Sequence, residues 1–358
     1  MKKSIISLAV LAAASNMAFA QSNVTIYGVV DAGIVSERGA AVGSTTKVSS
    51  GIASASRLGF RGTEDLGNGL SAVFGLEAGF NVDTGTQNEG GLFGRQTFLG
   101  LKSTTLGTVT LGNQYTSYYK ALTEVADPFA GGYAGTATNL FPSTQRAKNS
   151  IVYVSPAFSG FTGEVSYTLG EQAGSNKSGR QVGAAVAYAN GPLNARLVYS
   201  VANNDVPALN VDGDLARNIL LAANYDFTVA KAFFAYGKDK GTASAMGGKI
   251  DVAATLANLP NAGRLTDNST NLLLGVSAPV GQAGTVMASY IRKNDTDSSN
   301  FDATQWAVGY SYALSKRTSA YTSFAKIKNT NKAGYTVGNA SEVGSGDKAF
   351  NVGMRHSF

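Results

Sequence analysis

Along most of the chain apolar and polar positions alternate with a period of two, the spacing of strands that carry one apolar face. In residues 193–200, Leu193, Ala195, Leu197 and Tyr199 share one face while Asn194, Arg196 and Ser200 take the other. Val182, Ala184, Val186 and Tyr188 form a similar face, as do Trp306, Val308, Tyr310 and Tyr312; Val165, Tyr167 and Leu169 oppose Glu164, Ser166 and Thr168. Sixteen such strands are predicted, centred near Tyr27, Phe60, Leu76, Phe98, Leu111, Val154, Val165, Val186, Leu197, Ala222, Phe234, Gly275, Ala288, Gly309, Phe324 and Val352. In the strand near Phe324, Tyr321 falls on the opposite face, so a bulge or a shifted boundary is expected there.

The links between strands alternate in length. Short ones such as Gly67-Asn68-Gly69, Thr105-Leu106-Gly107 and Asn190-Gly191-Pro192 are followed by long polar ones: 36–54, 114–148, 238–267 and 329–347. A soluble β-sandwich accounts for any single alternating strand. Sixteen strands with short links at one end only predict an all-β, 16-stranded antiparallel transmembrane barrel, with short periplasmic turns and long outer loops. No internal repeat and no Pro- or Ser-rich linker divides the chain. Tyr188, Tyr199, Tyr310, Tyr312 and Phe358 are expected in aromatic girdles at the membrane interfaces.

Composition sharpens this picture. The chain has 358 residues, 43 glycines, no cysteine, one histidine and 15% charged residues, against roughly a quarter in an ordinary soluble domain. Disulfides, thiolate metal sites and a cysteine nucleophile are excluded. Residues 1–20 have the form of a secretory signal: Lys2 and Lys3, an apolar stretch from Ile5 to Ala14, and Ala18-Phe19-Ala20 as the cleavage site. Cleavage leaves a barrel chain of residues 21–358, and the loss of two lysines and no acids lowers the net charge from +6 to +4. No later segment reaches the roughly 18–20 apolar residues of a membrane helix.

The two ends of the mature chain and one internal block carry a resemblance. The last strand alternates Phe350, Val352, Met354, His356 and Phe358 against Asn351, Gly353, Arg355 and Ser357, and stops on the aromatic. The mature start, Val24-Thr25-Ile26-Tyr27-Gly28-Val29-Val30-Asp31, and the block from Ser56-Arg57-Leu58-Gly59-Phe60 to Leu70 complete the pattern. The chain resembles the trimeric general porins of the Gram-negative outer membrane, in particular the betaproteobacterial type. That resemblance implies a homotrimer in the outer-membrane bilayer, export through the inner membrane, and a Phe358-terminated strand read by the barrel assembly machinery. It also implies a passive water-filled channel for ions and small hydrophilic solutes, with an inward-folded third loop at its waist.

A ring of sixteen strands is wide enough for an aqueous channel. The third outer loop, 114–148, contains Asp127-Pro128-Phe129-Ala130-Gly131-Gly132 where the family usually has Pro-Glu-Phe-Gly, and Glu124 and Asp127 are its candidate constriction acids. The family's basic wall maps onto Arg57 and Arg95, and onto Lys148 or alternatively Arg146; period two adds Arg61 to the face of Arg57. A positive wall opposite a negative loop forms a transverse field across the waist. With the net charge of +4, this predicts a weak anion preference. Each of these cations also has the plainer reading of a solvated lumen residue, or of a partner to Glu64 or Glu77.

Other chemistry finds little support. Asp295-Thr296-Asp297-Ser298-Ser299-Asn300 begins like a calcium loop but lacks the glycine at its sixth position and the glutamate at its twelfth. No base stands where it could activate a serine, so no catalytic, metal or cofactor site is expected, and the basic residues are too scattered for nucleic acid. The alternatives that remain are a substrate-specific outer-membrane channel and a secreted or surface adhesin-like β-protein without a pore.

Overall fold

The computed structural model describes residues 23–40, 43–142, 144–203, 215–241, 268–298, 300–331, 333–337 and 346–358. The proposed signal, 1–20, lies outside the described residues, as do most of the fifth and sixth long links and much of the eighth.

Among the described residues seventeen strand segments build the wall: β1 (Asn23–Ala40), β2 (Gly43–Ser50), β3 (Arg57–Gly67), β4 (Leu70–Gly79), β5 (Gln96–Ser103), β6 (Gly107–Tyr115), β7 (Arg146–Val154), β8 (Phe161–Thr168) and β9 (Gln181–Asn190). The second half contributes β10 (Leu193–Ala202), β11 (Ala216–Asp226), β12 (Lys231–Lys240), β13 (Ser269–Val280), β14 (Gly284–Asp295), β15 (Ala303–Ala313), β16 (Thr318–Asn329) and β17 (Lys348–Ser357). Apart from β2 and β3, which do not pair with each other, each pairs antiparallel with its neighbours in sequence. β1 closes the ring by pairing along its length with β17, Val29 opposite Ser357 and Arg38 opposite Lys348. Both β2 and β3 pair with β1, so together they form one interrupted stave, and the barrel has sixteen.

This interruption corrects the expected first loop. The stretch 36–54 does not leave the wall after Ser36; β1 continues to Ala40 and the chain returns as β2. Its serines and threonines read as a loop because both faces are polar there, yet β-branched Thr45, Thr46 and Val48 suit an extended backbone. The wall opens only at 51–56, where Asp31 accepts hydrogen bonds from the N–H groups of Ile52, Ala53 and Ser54 at 3.0–3.2 Å and from the Tyr321 hydroxyl at 2.6 Å.

The expected bulge near Phe324 is also absent: β16 keeps an unbroken register with both neighbours. Tyr321 points inward to Asp31 while Phe324 points outward, so both faces legitimately carry an aromatic.

Alternation divides the wall as physics requires in a bilayer, where every backbone group must pair within the sheet. Outward positions are apolar, and aromatics stand near both rims: Tyr153, Phe161 and Tyr312 toward the short turns, Tyr199, Tyr236, Tyr290 and Trp306 toward the long loops. Phe358 completes the closure. Its backbone N–H and carbonyl both pair with Gly28, and its ring lies where any side chain at Gly28 would stand.

Candidate functional site

The third long link, between Tyr115 and Arg146, folds into the barrel. It enters as a helical turn, Ser117–Lys120, with Thr116 accepting the Tyr119 N–H as its cap, and continues as a π-helical segment, Ala121–Ala126. Ser117 and Lys120 both hold Glu164 of β8, at 2.6 and 2.5 Å, and so fix the loop's first turn to the wall. Asn224 of β11 donates to the Val125 carbonyl at 2.7 Å. The loop then crosses to the far wall, where the Tyr133 N–H donates to the Ile52 carbonyl and Gln305 donates to the Gly135 carbonyl.

Apolar contacts hold it there. Phe129, Leu140 and Phe141 are buried in one apolar cluster that also contains Leu220, Leu273 and Ile291, inward residues of β11, β13 and β14. Small inward residues at Ala222, Ala235, Ala307 and Ala325 leave room for the loop. Deleting such a buried aromatic typically costs ~3–5 kcal/mol. The residues 333–337 also turn inward, with the Tyr335 ring 5.7 Å from the buried Lys293 ammonium.

The lumen left open lies between the loop's free face and the inner side of β3–β7. It is a cavity of about 1100 Å³, lined on the wall by Arg57, Arg95, Arg146 and Lys148 and on the loop by Thr123 and Glu124. Glu77 of β4 organises two of these cations: its carboxylate lies 2.6 Å from Arg95 Nε and 3.6 Å from Arg57 Nε, and accepts the Tyr27 hydroxyl at 3.1 Å. Arg57 also donates to the Ser54 hydroxyl at 3.1 Å and the Ala55 carbonyl at 2.9 Å. Arg95, immediately before β5, donates to the Tyr115 hydroxyl at 2.6 Å. Arg146 stacks over the Tyr115 ring at 4.9 Å and pairs with Glu89 at 2.8 Å. Arg61 lies outside the cavity, four residues nearer the periplasmic turn, over the Tyr27 ring at 5.3 Å.

The two expected loop acids occupy different places. Glu124 lines the cavity 3.8 Å from Arg196, and its partial burial raises its carboxyl pKa against the opposing pull of Arg196 and Lys120. Asp127 does not line the cavity. It is buried in the loop, accepting the N–H groups of Phe129, Gly131 and Ala137 at 2.9–3.1 Å, and burial pushes its carboxyl up to about 6. A carboxylate two residues before a turn is a standard acceptor for that turn's backbone, which is why this residue braces the loop. Two lumen acids outside the expected set, Asp83 and Glu89, lie in the link between β4 and β5. Their only sequence signal was a position in the second long link.

The calcium-like stretch is otherwise engaged: Asp295 accepts the N–H groups of Asp297 and Phe301, and Asp297 accepts from Asn268. Among the described residues no cluster of metal-ligating side chains is found.

Residues 7–332 match the Gram-negative porin family. The chain belongs to that family. An outer membrane porin protein of Bordetella pertussis is 34% identical, and outer membrane porin protein 32 of Delftia acidovorans 35% identical, each with both chains covered in full. The structure of an anion-selective porin from Comamonas acidovorans matches with a TM-score of 0.76 at 30% identity, over 94% of this chain and 100% of that one. The porin is therefore a channel-forming barrel of the outer membrane, which sets aside the adhesin-like reading.

Proposed function

We propose that this porin is a general diffusion channel with a weak preference for anions, working as a homotrimer, and that it carries no catalytic chemistry and no cofactor. Its selectivity is assigned to a basic wall of Arg57, Arg61, Arg95, Arg146 and Lys148, with Glu124 as the facing loop acid. Asp127 acts on permeation through the shape of the loop.

The observation that supports this reading most directly is the group of four cations that the wall brings to one cavity. Four cations face it from the wall, against Asp83, Glu89 and Glu124, with Glu77 drawn back behind Arg57 and Arg95. The balance is close to neutral, so the preference is mild. The aromatic-backed guanidinium fork at Arg146 and Tyr115 fits small anions and dipolar solutes better than cations. The anion selectivity named for the Comamonas relative points the same way.

Residues 1–20 are proposed as the cleaved leader and Phe358 as the assembly signal, so sequencing of the mature chain should start at Gln21. Neutralising Arg57, Arg146 or Lys148 to glutamine is expected to lower the anion-to-cation permeability ratio about 1.5–2-fold each at ~0.1 M salt. Ratios unchanged in all three folded variants would remove the assignment. An unboiled gel that shows only monomer would contradict the trimer.

A further inference from the structure

Beside β1 the strand pairing lapses between β2 and β3. Ser50 stands opposite Ala32 and Arg57 opposite Val29, so the segment 51–56 fills the room of Val30 and Asp31 alone. Irregular backbone at membrane depth is tolerated only inside protein or along a water-filled cavity, and this segment turns inward. Gly51, at φ +68°, starts the turn; Ile52 is fully buried, while Gly51, Ser54 and Ala55 line the lumen cavity.

One residue holds the whole excursion. The Asp31 carboxylate gathers the consecutive N–H groups of Ile52, Ala53 and Ser54 as an anion nest, and takes the Tyr321 hydroxyl as a further donor. Its backbone carbonyl accepts the Gly51 N–H at 2.8 Å and the Ser56 hydroxyl at 3.1 Å, and its own N–H donates to the Ser56 oxygen at 3.0 Å. Asp31 is 0% exposed and does not line the cavity. A buried carboxylate is costly unless its acceptor positions are filled. Here every donor to it comes from the segment itself or from Tyr321, which shares a cluster with Ile52, Ala53 and Tyr133.

Both sides of the waist hang on what Asp31 holds. On the wall side, Ser54 Oγ and the Ala55 carbonyl accept from Arg57 Nη1 at 3.1 and 2.9 Å. On the loop side, the Tyr133 N–H donates to the Ile52 carbonyl, and the Tyr133 ring meets Tyr321 edge-on with centroids 5.1 Å apart. Gly132 packs so closely that a Cβ there would stand 2.1 Å from the Ala53 carbonyl oxygen. Ala130, Gly131 and Gly132, the tip of the third loop, line the cavity. The loop's anchors to Glu164, Asn224 and Gln305 are made elsewhere on the wall.

We propose that Asp31 is a positioning residue for permeation. By shaping 51–56 it sets where the tip of the third loop docks and where the Arg57 guanidinium stands, and so fixes waist width and anion preference together. The selectivity half rests on the reading of Arg57 as a wall cation; the width half does not.

The test is a set of refolded full-length variants in planar bilayers: Asp31→Asn, Arg57→Gln, the two combined, and Gly132→Ala, which sets a methyl against the Ala53 carbonyl and alters no charge. Asp31→Asn and Gly132→Ala are each expected to raise the open-channel conductance and to admit polyethylene glycols that the wild type excludes. Removing a negative charge would by itself raise the anion-to-cation ratio, whereas loss of the Arg57 placement lowers it; a net fall of ~1.5-fold at ~0.1 M salt is expected in Asp31→Asn. With Arg57→Gln already in place that fall should vanish. Wild-type conductance in Asp31→Asn would overturn the proposal, and a lowered gel-transition temperature alongside it would make Asp31 a structural brace only. A ratio that rises by the same factor in both backgrounds would also overturn it, because the carboxylate would then act as a charge alone. An unchanged ratio in Arg57→Gln would remove the wall assignment and the selectivity half with it, while the conductances of Asp31→Asn and Gly132→Ala still decide the width half. Where Asp31→Asn fails to refold, Tyr321→Phe, which deletes only the hydroxyl at 2.6 Å, takes its place. Wild-type conductance and ratio in both Tyr321→Phe and Gly132→Ala would then overturn the proposal.

Discussion

Replacing Glu77 by glutamine keeps the side chain's shape and one carbonyl oxygen but removes the carboxylate that sits 2.6 Å from Arg95 and 3.6 Å from Arg57. Two consequences can be sized. A unit charge acting on an ion ~10 Å away in water is worth about 0.4 kcal/mol, and screening at 0.1 M reduces this to about 0.15 kcal/mol. Because the change favours anions and disfavours cations equally, the permeability ratio should move toward anions ~1.7-fold at 0.1 M. At 0.01 M, where the screening length is about 30 Å, the shift should reach ~2.5–3-fold.

The second consequence falls on the wall. Arg95 is 4% exposed, and leaving its charge without the carboxylate should destabilise the barrel by ~3–5 kcal/mol, softened by its remaining bond to Tyr115. The assay is the reversal potential of Glu77→Gln in planar bilayers at both salt concentrations, with the temperature of the unboiled-to-boiled gel transition as a stability readout. A folded variant whose ratio stays constant, or moves toward cations, would refute the claim that this carboxylate offsets the basic wall. A shift of equal size at both salt concentrations would refute its electrostatic origin.

The loop braced by Asp127 should respond to pH with a definite sign. Burial raises this carboxyl from 3.8 to about 6, so the stabilisation linked to its proton is full below 3.8 and is lost as pH rises through about 6. Protease nicking of the third loop should therefore slow between pH 7.5 and 5 in the wild type, whereas Asp127→Asn, fixed in the neutral form, should lose that dependence. Glu164→Gln removes the partner of Lys120 and weakens the acceptor of Ser117, so loop closures in single-channel records should become more frequent; identical gating statistics would count against this latch. Gly28→Val places methyls where the Phe358 ring and the Arg57 carbonyl lie, and should cut refolding yield severalfold by blocking closure between the first and last strands. Wild-type yield from that variant would show that the contact is dispensable.

Much of the fold was legible because a barrel in a bilayer writes its architecture into a period-two pattern. All sixteen predicted centres lie within strands, from Tyr27 in β1 to Val352 in β17. What failed has physical causes. Gly43–Ser50 stands where both faces are polar, so its strand carries no apolar alternation. The inward faces of β11–β15 hold Leu220, Leu273 and Ile291, which read as apolar on both sides until the third loop is seen to cover them.

The basic wall was partly readable. Arg57, Arg95, Arg146 and Lys148 all line one cavity, Arg146 and Lys148 alike, which is why the proposed wall takes in both. Arg61 lies deeper along the wall and Asp127 inside the loop, and neither displacement could be read from strand parity. Parity says which face a residue takes; it does not say how far along the channel the waist lies, or where a loop turns its own acid. Glu89 meets Arg146 across a loop and the start of a strand, a pairing with no fixed spacing to announce it.

The central claim, an open and mildly anion-preferring pore, is tested most directly by the purified, refolded porin in a planar bilayer under a salt gradient. Discrete ohmic conductance steps that close in thirds at high voltage are expected, with a reversal potential of the sign given by anion permeation. A cation-signed potential would contradict the basic-wall assignment, and silence from protein shown to be folded and inserted would contradict the open pore itself.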